Sequence, residues 1–428
     1  MLPALRATGA QLRAGIAGLG GGAKAQLGRT WTFLIVAQVA VAVMALPPAL
    51  VQGRLLVERA MQRPDFPANE YLGASLVMDA EPRAGTDSAR AVRDLAEAAR
   101  RMQTALLARL GSEPGVVGAT IAGGLPGLEP VDHFDVEGGA SNRRLGVGLV
   151  DARHFALFDV RLLAGRHFGA ADAALAADRR PVVVNRSFVN ELLGGGSAVG
   201  RRIRARGEYD AAHPWREIVG VVEDFPAGYR NSAGESSARV YRLAAAGELR
   251  AGLLMVRLRG RSPASFAPAL RRLGASVDPA LQFPQSGPLA AAYDGISRQR
   301  GIAAFGVGLL AGSVLLLSAA GIHALTSFTI TQRRREIGVR TALGANARRV
   351  LTAVLARAAG QLALGVVVGL GLASSVEWYS GGKLMGGHAL VVVPTVATFF
   401  VIVGLLAAAA PARRGLRVQP TEALRAEA

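Results

Sequence analysis

The chain has 428 residues, of which 51% are hydrophobic, and its 49 Lys and Arg against 31 Asp and Glu give a formal net charge of +18. A basic, apolar chain of this length could be a nucleic-acid binder, a membrane-surface protein or an integral membrane protein with positive loops. Because the chain has no cysteine, structural disulfides, thiolate metal sites and cysteine nucleophiles are excluded.

Four apolar runs divide the chain, and each is long enough for the ~20 residues that a helix needs to cross a bilayer. The first run could also be a signal peptide, but the 29 residues before it are a long leading segment and Ala45 precedes a Pro-Pro pair. We therefore expect four transmembrane helices, at residues 30–51, 301–332, 350–376 and 391–412.

The long insertion at residues 52–300 is predicted to be a mixed α/β domain, as one unit or two lobes, because strand-like and helix-like patterns alternate along it. Ala170–Ala177 is rich in alanine and fits a helix or a loop. The remaining patterns predict strands at Tyr71–Asp79, Val116–Ala122, Pro181–Asn185, Glu217–Glu223 and Gly252–Leu258, and helices at Ser88–Leu110, Arg186–Leu193 and Pro263–Leu273.

The basic excess lies beside the apolar runs. The insertion carries 33 basic and 27 acidic residues, whereas the rest of the chain carries 16 basic and only 4 acidic residues. A nucleic-acid binder more often concentrates its charge on a folded face or a tail, so this distribution favours an integral membrane protein without a nucleic-acid partner.

The same charges predict the orientation, because cytoplasmic loops of membrane proteins are rich in Lys and Arg. Basic residues cluster in the segments 1–29, 333–349 and 413–428, while the loop 377–390 has only Lys383, offset by Glu377. We therefore expect both termini in the cytoplasm and the insertion on the opposite side of the membrane.

The segment Gln332–Val350 combines apolar residues with arginines and reads as the start of an amphipathic helix after the second span. Gly344 suits the left-handed position that ends a helix. From periodicity alone, this segment could equally be a positive loop that only orients the neighbouring spans.

The string R-R-R-E-I-G-V-R-T-A-L-G-A within this segment resembles the hallmark of the MacB/FtsX-type ABC transporter permease family. The resemblance implies that the segment contacts a dimer of ATPase subunits, as a short helix in a groove of its partner. The residues it assigns to this interface are Arg335, Glu336, Ile337, Gly338, Arg340, Leu343 and Gly344.

Further stretches resemble the same family. Asp151–Phe168, Pro181–Ile203 and Glu217–Phe225 are similar to its periplasmic MacB-like core domain, and Pro411–Leu424 is similar to its closing tail. Since these stretches consist mainly of glycines and apolar residues, we interpret them as determinants of the fold. The segment Pro3–Arg13 loosely echoes the tail, so the chain could be one half of a duplicated permease.

Two glycine pairs in the predicted spans have the i, i+4 spacing of close helix contacts, Gly308 with Gly312 and Gly365 with Gly369. With 53 glycines in the chain, this spacing could also arise by chance. His323 within a span is expected to be a packing histidine rather than part of a polar pathway.

Enzyme motifs are absent from the sequence. It contains no G-x-x-x-x-G-K-[ST] string, no histidine spacing typical of zinc and no G-x-S-x-G elbow. We therefore expect no catalytic residues, no cofactor and no metal, with ATPase activity only in a partner subunit.

The resemblance implies a homodimer, or a heterodimer with a related permease, that binds the ATPase in trans and transmits its motion to the periplasmic domain. The expected outcome is export, or extraction of a substrate from the periplasm or the outer membrane leaflet, with a periplasmic adaptor or outer-membrane protein as a further partner. The main alternative is an FtsX-like signalling subunit that activates a cell-wall hydrolase. A membrane-anchored enzyme is less favoured because the sequence has no catalytic motif. A channel is less favoured because the predicted spans are largely uncharged.

Overall fold

The computed structural model describes residues 4–78, 88–139, 141–206, 213–226, 236–245, 247–249, 251–332, 347–382 and 384–416. The chain divides into two compact units, which we call the helical unit (Met1–Val57 with Ile302–Ala428) and the inserted domain (Glu58–Gly301). The coupling segment expected after the second span, with Arg335, Glu336, Ile337, Gly338, Arg340, Leu343 and Gly344, lies outside the described residues.

The helices follow the apolar and amphipathic patterns of the sequence. They are α1 Ala4–Ala60, α2 Ser88–Gly111, α3 His154–Leu157, α4 Ala170–Ala174, α5 Arg186–Leu193, α6 Pro263–Val277, α7 Leu289–Gln332, α8 Ala347–Tyr379 and α9 Ala389–Leu416. A 3-10 turn at Ala68–Glu70 precedes the first strand.

Four helices contain segments long and apolar enough to cross a membrane, at Thr32–Ala60, Leu289–Phe328, Ala359–Tyr379 and Ala389–Ala409. This confirms the predicted fold class of four spanning helices with a large mixed α/β domain between the first and the second. Helices α1 and α7 extend beyond the expected spans at residues 30–51 and 301–332. The reason is that polar residues such as Arg54 and Glu58 end an apolar run without ending a helix.

The strands of the inserted domain are β1 Tyr71–Met78, β2 Val116–Ala122, β3 Val131–Val136, β4 Arg143–Val150, β5 Leu162–Gly165, β6 Val182–Asn185, β7 Arg202–Ala205, β8 Arg216–Val222, β9 Arg239–Leu243, β10 Ala251–Leu258, β11 Leu281–Gln282 and β12 Ser286–Pro288. They form one sheet in the order β11-β1-β10-β2-β4-β3-β7-β8-β6-β9, with β12 paired to β1 and β5 paired to β8.

The first part of this sheet is open and carries two helices. Strands β11, β1, β10 and β2 pair antiparallel, and α2 and α6 pack on them. The amphipathic pattern of α2 places Met102, Leu106 and Leu110 in the core, together with Phe266 and Leu270 of α6. This is the stripe that the 3.6-residue period predicts.

The second part of the sheet closes on itself. Strands β4, β3, β7, β8, β6 and β9 follow one another in the sheet, and β9 also pairs with β4 in parallel. The result is a ring of six strands, which we call the barrel. Its interior holds the fully buried side chains of Val182, Ile203, Ile218 and Val240. Helix α5 contributes Phe188 to the same core, at the end of the barrel where β6 ends.

An aromatic cluster fills a third core of the inserted domain. The rings of Phe66, Tyr71, Phe158 and Phe225 lie with centroids 4.8–5.5 Å apart. The hydroxyl of Tyr71 donates a hydrogen bond to the carbonyl of Leu157 at 3.0 Å, so its polar end is satisfied although the ring is buried.

Candidate functional site

In the helical unit, one glycine pair forms the close helix contact that its spacing predicts. A Cβ on Gly365 of α8 would lie 2.7 Å from the Cβ of Val39 in α1, and one on Gly369 would lie 2.7 Å from the Cβ of Val43. Because glycine has no side chain, the backbones of α8 and α1 can approach closely at these two positions. Helix α8 therefore packs on α1 through Gly365 and Gly369.

The other glycine pair makes no such contact within the chain. A Cβ on Gly308 or Gly312 of α7 would meet no described atom within 4 Å. The surrounding apolar side chains are exposed, with Phe305 at 68% and Leu309 at 59%. A lipid-facing helix has this character, and a contact of Gly308 and Gly312 with a second copy of the chain stays a prediction.

Two polar side chains of the spanning helices lie within hydrogen-bonding distance of a neighbouring helix. Gln361 of α8 donates to the hydroxyl of Thr32 in α1 at 2.8 Å. His323 of α7 lies 3.2 Å from the carbonyl oxygen of Ala407 in α9, which is the environment expected for a packing histidine. Because polar groups in lipid require partners, these contacts link α8 to α1 and α7 to α9.

The connection between α8 and α9 folds back onto the helix ends. The carboxylate of Glu377 is buried and accepts from the backbone N–H of Met385 at 3.2 Å. The side chain of Gln52 in α1 donates to the carbonyl of Leu384 at 2.9 Å. In contrast, Trp378 and Tyr379 are exposed, as aromatic side chains at a membrane surface usually are.

In the inserted domain, a buried polar network joins three strands of the barrel. Asn185 ends β6 and caps α5, because its side chain accepts from the N–H of Phe188 at 3.0 Å. The same side chain donates to Asp224 at 2.6 Å and accepts from the N–H of Arg239 at 2.8 Å. Asp224 in turn accepts from the hydroxyl of Ser187 at 2.9 Å. The network therefore fixes the residues that follow β8 against the start of β9.

A buried ion pair continues this network. Arg239 and Glu129 are each about nine-tenths buried, and their side chains meet at 3.0 Å. Glu129 also accepts from the N–H of Gly127 at 2.9 Å, and Tyr241 donates to the carbonyl of Phe225 at 2.9 Å. Burial raises the pKa of Tyr241 above its ordinary value, so this hydroxyl stays protonated and acts as a donor.

His154 at the start of α3 is buried among aromatic rings. Its ring centroid lies 5.1 Å from that of Phe158 and 5.7 Å from that of Phe155. Its Nδ1 atom finds no hydrogen-bond partner in the described part of the chain. Burial lowers the pKa of His154 to about 3, so the ring is neutral at physiological pH.

The glycines of the stretches that resemble the family have backbone roles. Gly165 has a φ of +72° and a Cβ there would lie 2.2 Å from the carbonyl oxygen of Val219. A Cβ on Gly220 would lie 2.2 Å from the carbonyl oxygen of Arg166. Strands β5 and β8 thus approach at distances that leave no room for a side chain. This agrees with our interpretation of these stretches as fold determinants.

The polar groups around Asn185 and the ion pair between Arg239 and Glu129 connect separate parts of the fold. Among the described residues, no group of three or more His, Cys, Asp or Glu side chains could hold a metal ion. The buried network residues Asn185, Asp224, Arg239 and Glu129 were not singled out from the sequence. The signal for Asn185 was its position between a strand and a helix, where asparagine is a preferred N-cap. No local pattern marks Glu129 or Arg239, which are 110 residues apart.

Two family models match the chain, one in each unit. The MacB-like periplasmic core domain matches residues 88–273, and the FtsX-like permease C-terminal domain matches residues 308–420. Together they cover more than half of the chain without overlapping.

Individual proteins match over shorter stretches. The uncharacterized ABC transporter permease YknZ of Bacillus subtilis is 31% identical over 140 residues, which are 31% of this chain and 34% of that protein. The macrolide export ATP-binding/permease protein MacB of Chlorobaculum tepidum is 32% identical over 111 residues, 25% of this chain and 17% of that protein. The matched regions thus span about a third or less of these relatives.

A solved structure, the periplasmic region of MacB from Actinobacillus actinomycetemcomitans, aligns with 54% of this chain and 93% of its own, at 12% identity and a TM-score of 0.33.

The four spanning-capable helices and the large α/β insertion after the first of them define a multi-pass membrane protein of the permease class. With both matched domains in their expected order, the chain belongs to the MacB/FtsX-type family of ABC transporter permeases.

Proposed function

We propose that this chain is the membrane subunit of an ABC transporter that couples ATP hydrolysis by a separate ATPase to motion of its inserted domain. The main support for the proposal is that each of the two family models matches one of the two units of the chain. The MacB-like periplasmic core domain falls within Glu58–Gly301, and the FtsX-like permease C-terminal domain falls on the last three spans. A protein with this order has one part for the membrane and one part for a substrate or partner outside it.

The packing of the helical unit supports motion transfer rather than passage through the bundle. Its described core is apolar, with Val39, Leu362, Val366 and Phe400 buried together. A hydrophilic substrate would need polar side chains along its path, whereas several of those described, such as Thr326 and Thr395, bond to carbonyl groups of their own helix. The substrate is therefore handled by the inserted domain, on the periplasmic side that the basic flanks of the spans predict.

Export is the favoured direction. Relatives matched over part of the chain bear the names macrolide export and pyoverdine export ATP-binding/permease protein. We propose that the chain works as a homodimer, or a heterodimer with a related permease, with two ATPase subunits and with an adaptor or outer-membrane protein. It would lie in the inner membrane with cytoplasmic termini, and it would hydrolyse no ATP itself.

The test is reconstitution of the purified chain in lipid nanodiscs, with and without a candidate ABC ATPase subunit from the same genome. We expect no ATP hydrolysis by the chain alone and faster hydrolysis by the ATPase when the chain is present. Turnover by a clean preparation of the chain alone, or an ATPase that neither binds nor responds, would contradict the proposal. If the complex forms and activates a purified cell-wall hydrolase without moving any substrate, the signalling function replaces export.

A further inference from the structure

The barrel of the inserted domain has two unlike ends. At the end where β6 runs into α5, the interior is filled by Phe188, which is fully buried. At the opposite end, where β6 and β8 begin and β9 finishes, arginines stand in place of apolar residues. They are Arg180, two residues before Val182, together with Arg216 at the start of β8 and Arg242 near the end of β9.

The register of the strands directs two of these arginines to the interior. Arg242 is paired with Val182 of β6, and Arg216 is paired with Ile203 of β7. Residues paired across neighbouring antiparallel strands have side chains on the same face, and both Val182 and Ile203 are fully buried inside the barrel. Arg216 and Arg242 therefore continue the interior face of the barrel to its mouth, where both are half-buried.

Arg180 is already bound by the protein. Its side chain is 7% exposed and meets the carboxylate of Glu248 at 2.6 Å. It also donates to the carbonyl of Leu175 at 3.0 Å. The backbone carbonyl of Arg180 accepts a hydrogen bond from Nη1 of Arg216 at 3.3 Å. The guanidinium group of Arg216 therefore lies against the backbone of Arg180.

The guanidinium groups of Arg216 and Arg242 have fewer hydrogen-bond and charge partners among the described residues than that of Arg180. The Nε atom of Arg242 is buried and finds no acceptor among the described residues. Burial lowers the pKa of Arg216 below its ordinary value, and the nearby charges of Arg242 and Arg180 lower it further, against the opposing effect of Asp178 and Glu248. Among the described residues at this mouth, three arginines therefore lie near two carboxylates, and the buried Nε–H group of Arg242 has no acceptor, a combination that a bound anion would relieve.

We propose that Arg216 and Arg242, backed by Arg180, form a binding site for a phosphate group at the mouth of the barrel. Planar guanidinium groups bind tetrahedral oxyanions through paired hydrogen bonds, which a lysine cannot reproduce. Behind the arginines the barrel interior is apolar, so a charged group would be held at the mouth by the guanidinium groups. Inorganic phosphate and the phosphate of a lipid headgroup share this chemistry. The site is independent of the ATPase coupling proposed above.

The test is calorimetric titration of the full-length chain, in an uncharged detergent at low salt, with inorganic phosphate and separately with glycerol 3-phosphate. We expect saturable binding of at least one of the two, weakened at least about tenfold by the double variant Arg216→Gln/Arg242→Gln, since hydrogen bonds to charged groups are lost. Tighter binding of glycerol 3-phosphate would identify a lipid headgroup as the source, and tighter binding of inorganic phosphate would identify the free anion.

The matched control is Arg101→Gln/Arg109→Gln, which removes the same charge from two exposed positions of α2 and should leave binding unchanged. The variant Arg216→Lys/Arg242→Lys keeps the charge and the fold, so it remains informative if the glutamine variant does not fold. It should bind several-fold more weakly than the unmodified chain. The proposal is overturned if neither ligand binds, if the lysine variant binds as the unmodified chain does, or if the control loses binding equally.

Discussion

Gly365 of α8 lies so close to Val39 of α1 that a Cβ at Gly365 would be 2.7 Å from the Cβ of Val39 and 3.1 Å from the carbonyl oxygen of Val36. This contact packs the first span directly against the third. If the chain transmits motion through its spanning helices, as we propose, these two spans should move together.

Replacing Gly365 with valine should therefore destabilise the helical unit. Overpacking of a close contact costs about 1–3 kcal/mol, which should appear as a lower midpoint of thermal unfolding in detergent. Gly308→Val is the matched control, because that position is open within the chain. If Gly308→Val instead changes only the oligomeric state, Gly308 lies at a contact between chains. Equal stability of Gly365→Val and the unmodified chain would show that the two helices are not packed in this way.

Removing one partner of the ion pair between Arg239 and Glu129 should lower the free energy of unfolding far more than replacing both partners with apolar residues. Glu129→Ala removes the carboxylate that pairs with a buried guanidinium, and loss of one partner of a buried pair costs about 3–5 kcal/mol. The double replacement Arg239→Met/Glu129→Leu should recover most of that loss. Urea unfolding followed by the fluorescence of Trp215, with Trp31 and Trp378 replaced by Phe, measures both. The comparison pair is Arg202 with Glu137, whose side chains are 54% and 41% exposed, so the Glu137→Ala variant should lose much less stability than Glu129→Ala.

His154 should make the inserted domain sensitive to acid. Its folded pKa of about 3 lies below the ordinary value of 6.5, so the unfolded chain takes up a proton that the folded chain does not. Stability is complete above pH 6.5 and is lost as the pH falls from 6.5 towards 3, by about 2 kcal/mol between pH 7 and pH 5. His154→Phe should remove this share of the pH dependence. The same Trp215 reporter at pH 7 and pH 5 checks it, and an unchanged slope in the variant would mean that other groups cause the acid sensitivity.

Leu343→Asp should abolish docking of the ATPase if the segment after the second span forms the coupling element. Loss of a buried anchor costs ~2 kcal/mol or more, which weakens association more than tenfold. Capture of the ATPase by the variant, beside a topology reporter, provides the measurement. If the segment only orients the spans, Leu343→Asp will capture the ATPase normally, whereas removal of the neighbouring arginines will disturb insertion.

Reporter fusions test the proposed orientation. A fusion at Ala140 should report the periplasm and a fusion at Ala428 should report the cytoplasm, because the basic flanks remain on the cytoplasmic side. A cytoplasmic signal from Ala140 would contradict the four-span arrangement.

The sequence was sufficient for the elements whose cause is local. An uncharged apolar run predicts a spanning helix wherever it occurs, and the period of α2 already places Leu106 and Leu110 on a buried stripe. The residues of β6 and the N-cap of α5 are neighbours in the sequence, because Asn185 both ends the strand and caps the helix. The ends of α1 and α7 were less predictable, since a helix continues through charged residues that end an apolar run.

Local pattern alone did not separate the two glycine pairs. Gly308 with Gly312 and Gly365 with Gly369 have the same spacing, yet only the second pair lies against another helix of the chain. Which face of a helix meets a neighbour depends on how all the helices pack, and that information is spread over residues more than 300 positions apart, as in the bond between Gln361 and Thr32.

The sequence by itself determined the spans, the mixed α/β insertion and the family, because hydrophobic runs, periodicity and contiguous motifs are properties of neighbouring residues. The tertiary structure alone decided the closure of the barrel through the pairing of β4 with β9, and with it the juxtaposition of Arg216 and Arg242. Strand pairing depends on backbone groups that are alike in every residue, so the partners are chosen by the packing of the whole domain and not by a signal that either strand carries.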